Sequence, residues 1–276
     1  MKRRFIQADV FSDQATRGNG LAVIVDADGL SDQQMQHFAA WTNLAETTFI
    51  LPPTDPAADY RVRIFTPGRE MPFAGHPTLG SCAAWLHTGG APKTPGRVMQ
   101  ECQIGLVEID QTGPTPAFVA PPTAISDMPR AQRDGLATAL KLARGDILRA
   151  AILDNGPVWQ VLELSSAEAA LAVDETLVRW PEHVAVAVMG AHSSGDCAYE
   201  VRNISPSSGM SEDPVTGSLC SAVAKWLDHQ GRLGDGFIFA QGTKLGRLGR
   251  ISVRRRGADI LIGGHTTVVI DGTVNL

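Results

Sequence analysis

The 276-residue sequence predicts a mixed α and β fold built twice on one pattern. Three observations carry this. Strand-like and helix-like stretches alternate, but without the regular strand–helix–strand rhythm of a parallel sheet. A segment of the first half recurs, in order, in the second. Each copy then passes from a strand through a glycine-containing loop into a helix-like run that is almost uncharged for two turns.

The elements follow in order. Phe5-Ile-Gln-Ala-Asp-Val-Phe11 alternates and Leu21-Ala-Val-Ile-Val25 is continuously apolar, so both read as strands. Ser31-Asp-Gln-Gln34 is a capping-box pattern, with Met35, Phe38, Ala39 and Trp41 behind it at helical spacing. Thr47-Thr-Phe-Ile-Leu51 is strand-like. Tyr60-Arg-Val-Arg-Ile-Phe-Thr-Pro67 opens the repeat, because Tyr199-Glu-Val-Arg-Asn-Ile-Ser-Pro206 shares its Tyr, Val, Arg and Pro at one offset. Met71 and Met210 keep that offset. After a short insertion, Trp85-Leu86 matches Trp226-Leu227, each near the end of a helix-like run. Asn19-Gly20 matches Asn155-Gly156, each just before a strand-like run. So long a period excludes a solenoid and indicates a duplicated lobe, with the halves meeting near Pro121-Pro122.

Composition narrows the function classes. Hydrophobic residues make up 43% and charged residues 19%, which is a core-forming chain rather than a disordered one. A net charge of −5 and a pI near 5.8 argue against a protein held to nucleic acid through phosphates. The one tight basic run, Arg254 to Arg256, is expected on a solvated strand edge or turn. No stretch is long and apolar enough to cross a bilayer, and Met1-Lys-Arg-Arg leads into a strand rather than a signal peptide. Cys82, Cys102, Cys197 and Cys220 lack CxxC spacing and are expected to be reduced thiols of a cytoplasmic protein. The histidines show no HExxH or Cys/His cluster, so no metal is expected. Gly18-Asn-Gly-Leu-Ala-Val23 precedes a strand-like run rather than a helix, which excludes a dinucleotide fingerprint.

The two loop-to-helix junctions are the candidate site. Pro77 fits a first helical position with His76 as its cap, and Thr216 or Ser218 can cap the second helix. A helix start offers unpaired N–H groups and partial positive charge, and Gly75 and Gly217 let a ligand approach the backbone closely. Lobes packed face to face would bring both helix starts to one cleft suited to a small carboxylate. On spacing alone, His76 reads equally as a plain cap residue.

The set Gly18-Asn-Gly-Leu-Ala-Val23, Asn43-Leu-Ala-Glu-Thr-Thr-Phe49, Ile64-Phe-Thr-Pro67, Pro72-Phe-Ala-Gly-His-Pro77, Glu212-Asp-Pro-Val-Thr-Gly-Ser218 and Gln241-Gly242 resembles the PhzF-like family of phenazine-biosynthesis isomerases from residue 5 to beyond residue 247. The resemblance implies an α+β, diaminopimelate-epimerase-like fold of two pseudo-symmetric lobes, each a rolled sheet around a central helix. The lobes would be residues 1–120, completed by the last strand at about 266–276, and residues 121–265. It also implies a homodimer that needs no cofactor and acts on a small carboxylate. The reaction implied is isomerisation of trans-2,3-dihydro-3-hydroxyanthranilate by carbon-to-carbon proton transfer. Glu46 would be the proton shuttle, His76 and Asp213 its assistants, and Gly75, Gly217, Ser218 and Asn19 the substrate-binding groups.

The residue types suit that chemistry, since a buried carboxylate can accept a proton from one carbon and return it to another. The chain departs from the family pattern at Ala45, where Ser is usual, at Gly20, where Pro is usual, and at Gly246-Arg-Leu-Gly249, where Gly-Arg-Pro-Ser is usual. Two other readings remain: an epimerase or racemase of an amino-acid-like substrate, and a non-catalytic small-acid binding protein. Cysteine-based stereoinversion is disfavoured, because Cys82 and Cys220 fall inside the helix-like runs.

Overall fold

The computed structural model describes residues 1–206 and 210–276, with the Arg144 side chain outside the description. The chain runs β1 (Lys2–Val10), β2 (Asn19–Ile24), α1 (Asp32–Thr42), β3 (Glu46–Leu51), β4 (Tyr60–Phe65), β5 (Glu70–Met71), α2 (Gly75–His87), β6 (Arg97–Cys102), β7 (Gly105–Asp110) and β8 (Ala117–Val119). It continues through β9 (Ala124–Asp127), α3 (Arg130–Ala139), β10 (Ile147–Asp154), β11 (Val158–Leu164), α4 (Ala167–Ala172), β12 (Val186–Ala191), β13 (Tyr199–Ile204), α5 (Gly217–His229), β14 (Gly236–Gln241), β15 (Gly249–Arg256), β16 (Asp259–Gly263) and β17 (Thr266–Asn275). Two compact units result, residues 1–119 with 263–276, and residues 120–262.

In the first unit β1 is antiparallel to both β2 and β17. β2 crosses over through α1 to pair in parallel with β3, which turns back antiparallel into β4. After α2 the chain returns as β6, parallel to β4, and meanders through β7 and β8. The second unit repeats this path. β10 and β11 are antiparallel, α4 leads to a parallel β12, β13 turns back antiparallel, and α5 leads to β14 parallel to β13, followed by antiparallel β15. The closing strands are exchanged along the chain: β9 pairs with β10, as β17 pairs with β1. The short β5 on β4 has as counterpart the single bridge Asn203–Asp213.

Each unit buries one 13-residue helix against its strands. In α2 every residue from Gly75 to Cys82 is buried, and in α5 Leu219, Cys220, Ala222 and Val223 are wholly covered. At about 25 cal/mol per Å² of apolar surface, such helices owe their place to burial more than to intrinsic propensity. The first unit has a second core under α1, where Phe49 meets Phe38 and Phe65 edge-on at 6.4 and 5.5 Å.

Three local expectations change. α2 begins at Gly75 with Ala74 as its cap, so His76 and Pro77 lie inside the first turn, not at its edge. The reason is steric and polar: the Ala74 carbonyl accepts the Thr78 amide at 3.2 Å and its hydroxyl at 2.9 Å. In α5 Thr216 occupies the cap position, but its hydroxyl is turned away from the helix amides, and Ser218 lies within the helix. Trp85 is the eleventh residue of α2 and Trp226 the tenth of α5, so that match is one of residue type and not of helical phase. Part of the loop expected after Pro206, residues 207–209, lies outside the described residues. Arg254 to Arg256 end β15, the last two exposed, as a strand end should be.

Candidate active site

The residues singled out by sequence fall into two sets, one in each unit. In the first unit Glu46 opens β3, opposite Leu21 of β2. Asn43 ends α1 in the left-handed region and turns the chain toward it. The two threonines that follow are buried anchors. The Thr47 hydroxyl meets that of Thr42, on the last turn of α1, at 2.8 Å, and the Thr48 hydroxyl accepts from Ser81 of α2 at 2.9 Å. Glu46 is thus held at the rim of a strand whose next residues are locked to both helices.

His76 lies in the first turn of α2, 5% exposed, with Nδ1 3.4 Å from Glu46 Oε2. The turn is fixed from below, because Tyr60 donates to buried Gln100 at 3.0 Å and Gln100 donates to Thr78 at 3.0 Å. Burial drives the His76 pKa down from 6.5 to about 3, so the ring is neutral at physiological pH. Its contact with Glu46 is therefore between an uncharged imidazole and a carboxyl group. The far nitrogen, Nε2, is buried and finds no hydrogen-bond partner among the described residues. A buried polar atom left without a partner costs free energy, and such atoms often await a ligand or water.

Asn19 starts β2 and is buried. The turn before it is pinned by Asp9, whose carboxylate accepts the amides of Arg17 at 2.9 Å and Gly18 at 2.7 Å. Only glycine fits at Gly18, where a Cβ would stand 2.2 Å from the Val10 carbonyl oxygen. Gly75 is the first residue of α2 and is buried.

In the second unit Asp213 is half-buried and bridges to β13, its amide donating to the Asn203 carbonyl at 2.9 Å. Glu212 beside it is fully buried and takes both ends of a fork from Arg202, at 3.1 and 2.7 Å. The Thr216 hydroxyl donates to Asp213 Oδ2. Gln241 accepts the Thr216 amide at 2.9 Å and donates to the Asp213 carbonyl at 3.2 Å. Next to it, Gly242 has φ +81°, and a Cβ there would stand 2.6 Å from the Pro214 carbonyl, so the Gln-Gly pair closes the underside of the acidic loop. Gly217 opens α5 and Ser218 follows half-buried, its carbonyl accepting from Asn155 at 2.8 Å.

The structure brings Glu46 and His76 together in one unit and Asp213, Gly217 and Ser218 onto one loop and helix start in the other. Sequence reasoning assigned no role to Asn155, Arg202, Glu212 or Gln241, and gave Thr216 only that of a helix cap. Asn155 was visible as the repeat partner of Asn19, and Gln241 stood in a quoted motif. Cys82 and Cys220 are buried, as expected for core thiols, and burial pushes the Cys82 thiol up to about 12 and that of Cys220 higher still. Among the described residues no group of three or more His, Cys, Asp or Glu could hold a metal, and no helix is long and apolar enough to cross a membrane.

Comparison with known proteins identifies the family. Residues 8–272 match the PhzC-PhzF family, described as phenazine biosynthesis-like proteins. The chain is 35% identical to "Antisense-enhancing sequence 1" of Schizosaccharomyces pombe, over 97% of each chain. It is 32% identical to the trans-2,3-dihydro-3-hydroxyanthranilate isomerase of Pseudomonas aeruginosa, over 92% of this chain and 91% of that one. The crystal structure of a PhzF-family phenazine biosynthesis protein from Bacillus anthracis superposes with a TM-score of 0.86 over 100% of both chains at 21% identity, which shows a shared fold.

Proposed function

The chain belongs to the PhzC-PhzF family of phenazine biosynthesis-like proteins, and on that premise we propose that it is an isomerase that moves a proton between two carbons of a small carboxylic acid. The observation that carries this reading is the 3.4 Å approach of Glu46 to a buried, neutral His76. A carboxylate takes the proton as the C–H bond breaks and its electron pair enters the conjugated system of the substrate. It gives a proton back when the new C–H bond forms, so one group serves as base and then as acid. A neutral imidazole beside it can orient the carboxyl through Nδ1 without adding charge. That leaves Nε2 for the substrate or for a water bound to it.

Asp213, the first-turn amides of α5 at Gly217 and Ser218, and Gly75 and Asn19 in the first unit are the proposed polar contacts to the substrate. Helix-start amides favour an anionic group such as a carboxylate. The likeness to the Pseudomonas aeruginosa enzyme makes trans-2,3-dihydro-3-hydroxyanthranilate the substrate to try first. A homodimer acting without metal or organic cofactor, in the cytoplasm, is the accompanying proposal.

The test follows consumption of that compound and deuterium incorporation in D2O by NMR, with Glu46→Gln alongside. We expect turnover by the wild type and a loss of about 10²- to 10⁴-fold in the variant, the usual contribution of a positioned acid–base group. A variant that kept wild-type turnover would remove Glu46 from the mechanism. An inert wild-type protein would remove this substrate, and the same exchange assay would then run over a panel of small carboxylic acids.

A further inference from the structure

We infer that Thr216 is a positioning residue whose hydroxyl is directed to donate to Asp213 and so favours the ionised form of that side chain. The argument is one of hydrogen-bond direction. The Thr216 backbone amide can only donate, and it faces Gln241 Oε1 at 2.9 Å. This fixes the Gln241 side chain, so its Nε2 is the end that faces Thr216 Oγ1 at 3.1 Å and the Asp213 carbonyl at 3.2 Å. Asn203 Nδ2 approaches the same Thr216 oxygen at 2.9 Å, and its Oδ1 is taken by the Ser205 hydroxyl. Two N–H groups therefore occupy the lone pairs of Thr216 Oγ1. Its single proton has one remaining acceptor, Asp213 Oδ2.

The groups that fix Thr216 are buried, with Thr216 8% exposed, Asn203 3% and Gln241 0%, while Asp213 itself is half-buried. A hydrogen bond received from polarised donors in such surroundings favours the charged carboxylate over the acid. Arg202 is committed to Glu212 and Glu175 and to two carbonyl oxygens, and the Cys220 thiol is kept protonated by burial. Thr216 acts through Asp213 and is not itself a catalytic residue.

The importance of this device for turnover rests on the function proposed above. The hydrogen-bond direction does not, and the experiment reads it without any substrate. Carboxyl-¹³C NMR would follow the titration of Asp213, assigned by its loss in Asp213→Asn, in the wild type, Thr216→Val and Thr216→Ser. Thr216→Val should raise the proton affinity of Asp213 about tenfold or more. Thr216→Ser, which keeps the hydroxyl, should titrate like the wild type. Should Thr216→Val fail to fold, Gln241→Leu frees the hydroxyl to turn and should raise the affinity in the same direction by less. Thr216→Val, or in its place Gln241→Leu, titrating like the wild type would overturn the inference, and so would Thr216→Ser behaving like the valine variant. Loss of isomerase activity on every substrate, with these shifts intact, would overturn the function and leave the device standing.

Discussion

Arg63 on β4 and Arg202 on β13 stand at the same place in their units, and each grips a glutamate with both arms of its guanidinium. In the first unit Glu70 accepts from Nε and Nη2 at 2.7 Å each, and Asp32, in the first turn of α1, takes Nη1 at 2.6 Å. Arg63 is 22% exposed there and Asp32 83%. In the second unit Arg202 and Glu212 are wholly buried, and the guanidinium also satisfies the carbonyls of Ala170 and Val173 at 3.0 and 2.6 Å. The Glu70 hydrogen bond raises the Arg63 pKa; burial opposes the charge on Arg202, but its glutamates more than offset this and it too is raised. The duplicated pair thus does two jobs. Half-exposed, it ties α1 to the loop leading to His76. Buried, it replaces core hydrocarbon directly beneath the Asp213 loop, and every donor must be met.

The largest expected effect breaks that comparison outright. Glu212→Leu leaves a buried guanidinium without its main partner and should cost about 3–5 kcal/mol. Glu70→Leu exposes its arginine to solvent and should cost about 1 kcal/mol or less. Urea unfolding midpoints measure both, and equal losses would show that burial does not distinguish the two pairs.

A second contrast lies at the helix starts, where α2 carries the titratable His76 in its first turn and α5 carries Ser218 at the same position. The His76 pKa falls from 6.5 to about 3 on folding, so the unfolded chain holds one more proton between those values. Stability from this group is complete above pH 6.5 and should decline by about 1.4 kcal/mol per pH unit as pH falls toward 3. Acid-dependent unfolding of His76→Asn should lack that slope, whereas Ser218→Ala should keep it. An unchanged slope in His76→Asn would mean that the ring is charged in the folded protein.

The smallest effects compare the caps of the crossover helices. Ser31 accepts from Gln34 and the Gln34 side chain accepts the Ser31 amide in return, at 3.3 and 2.9 Å, whereas Ser166, the cap of α4, accepts from Ala169, at 3.2 Å, whose side chain can return nothing. Each serine-to-alanine change should cost about 1 kcal/mol. Thermal unfolding should place Ser31→Ala slightly the more damaging, since it undoes a reciprocal pair.

Glu46 and His76 entered as acid–base candidates only through the family resemblance, whereas the duplication, the helix under Ser31 and the two loop-to-helix junctions were legible along the chain. Their signals are local: alternation, helical spacing and turn chemistry act over a few residues, and a repeat needs only order. The same local rules misplaced the start of α2. A histidine and a proline look like an edge, but the Ala74 carbonyl had already begun the helix. What only the tertiary structure decided is the state of the polar groups. His76 is neutral because surrounding side chains exclude water from it, Glu212 is a core residue because Arg202, itself held by the Ala170 and Val173 carbonyls, reaches it, and the Thr216 proton has one direction because Gln241 and Asn203 arrive from other strands. Desolvation and hydrogen-bond partnership depend on which distant segments meet, and no spacing along one segment encodes that.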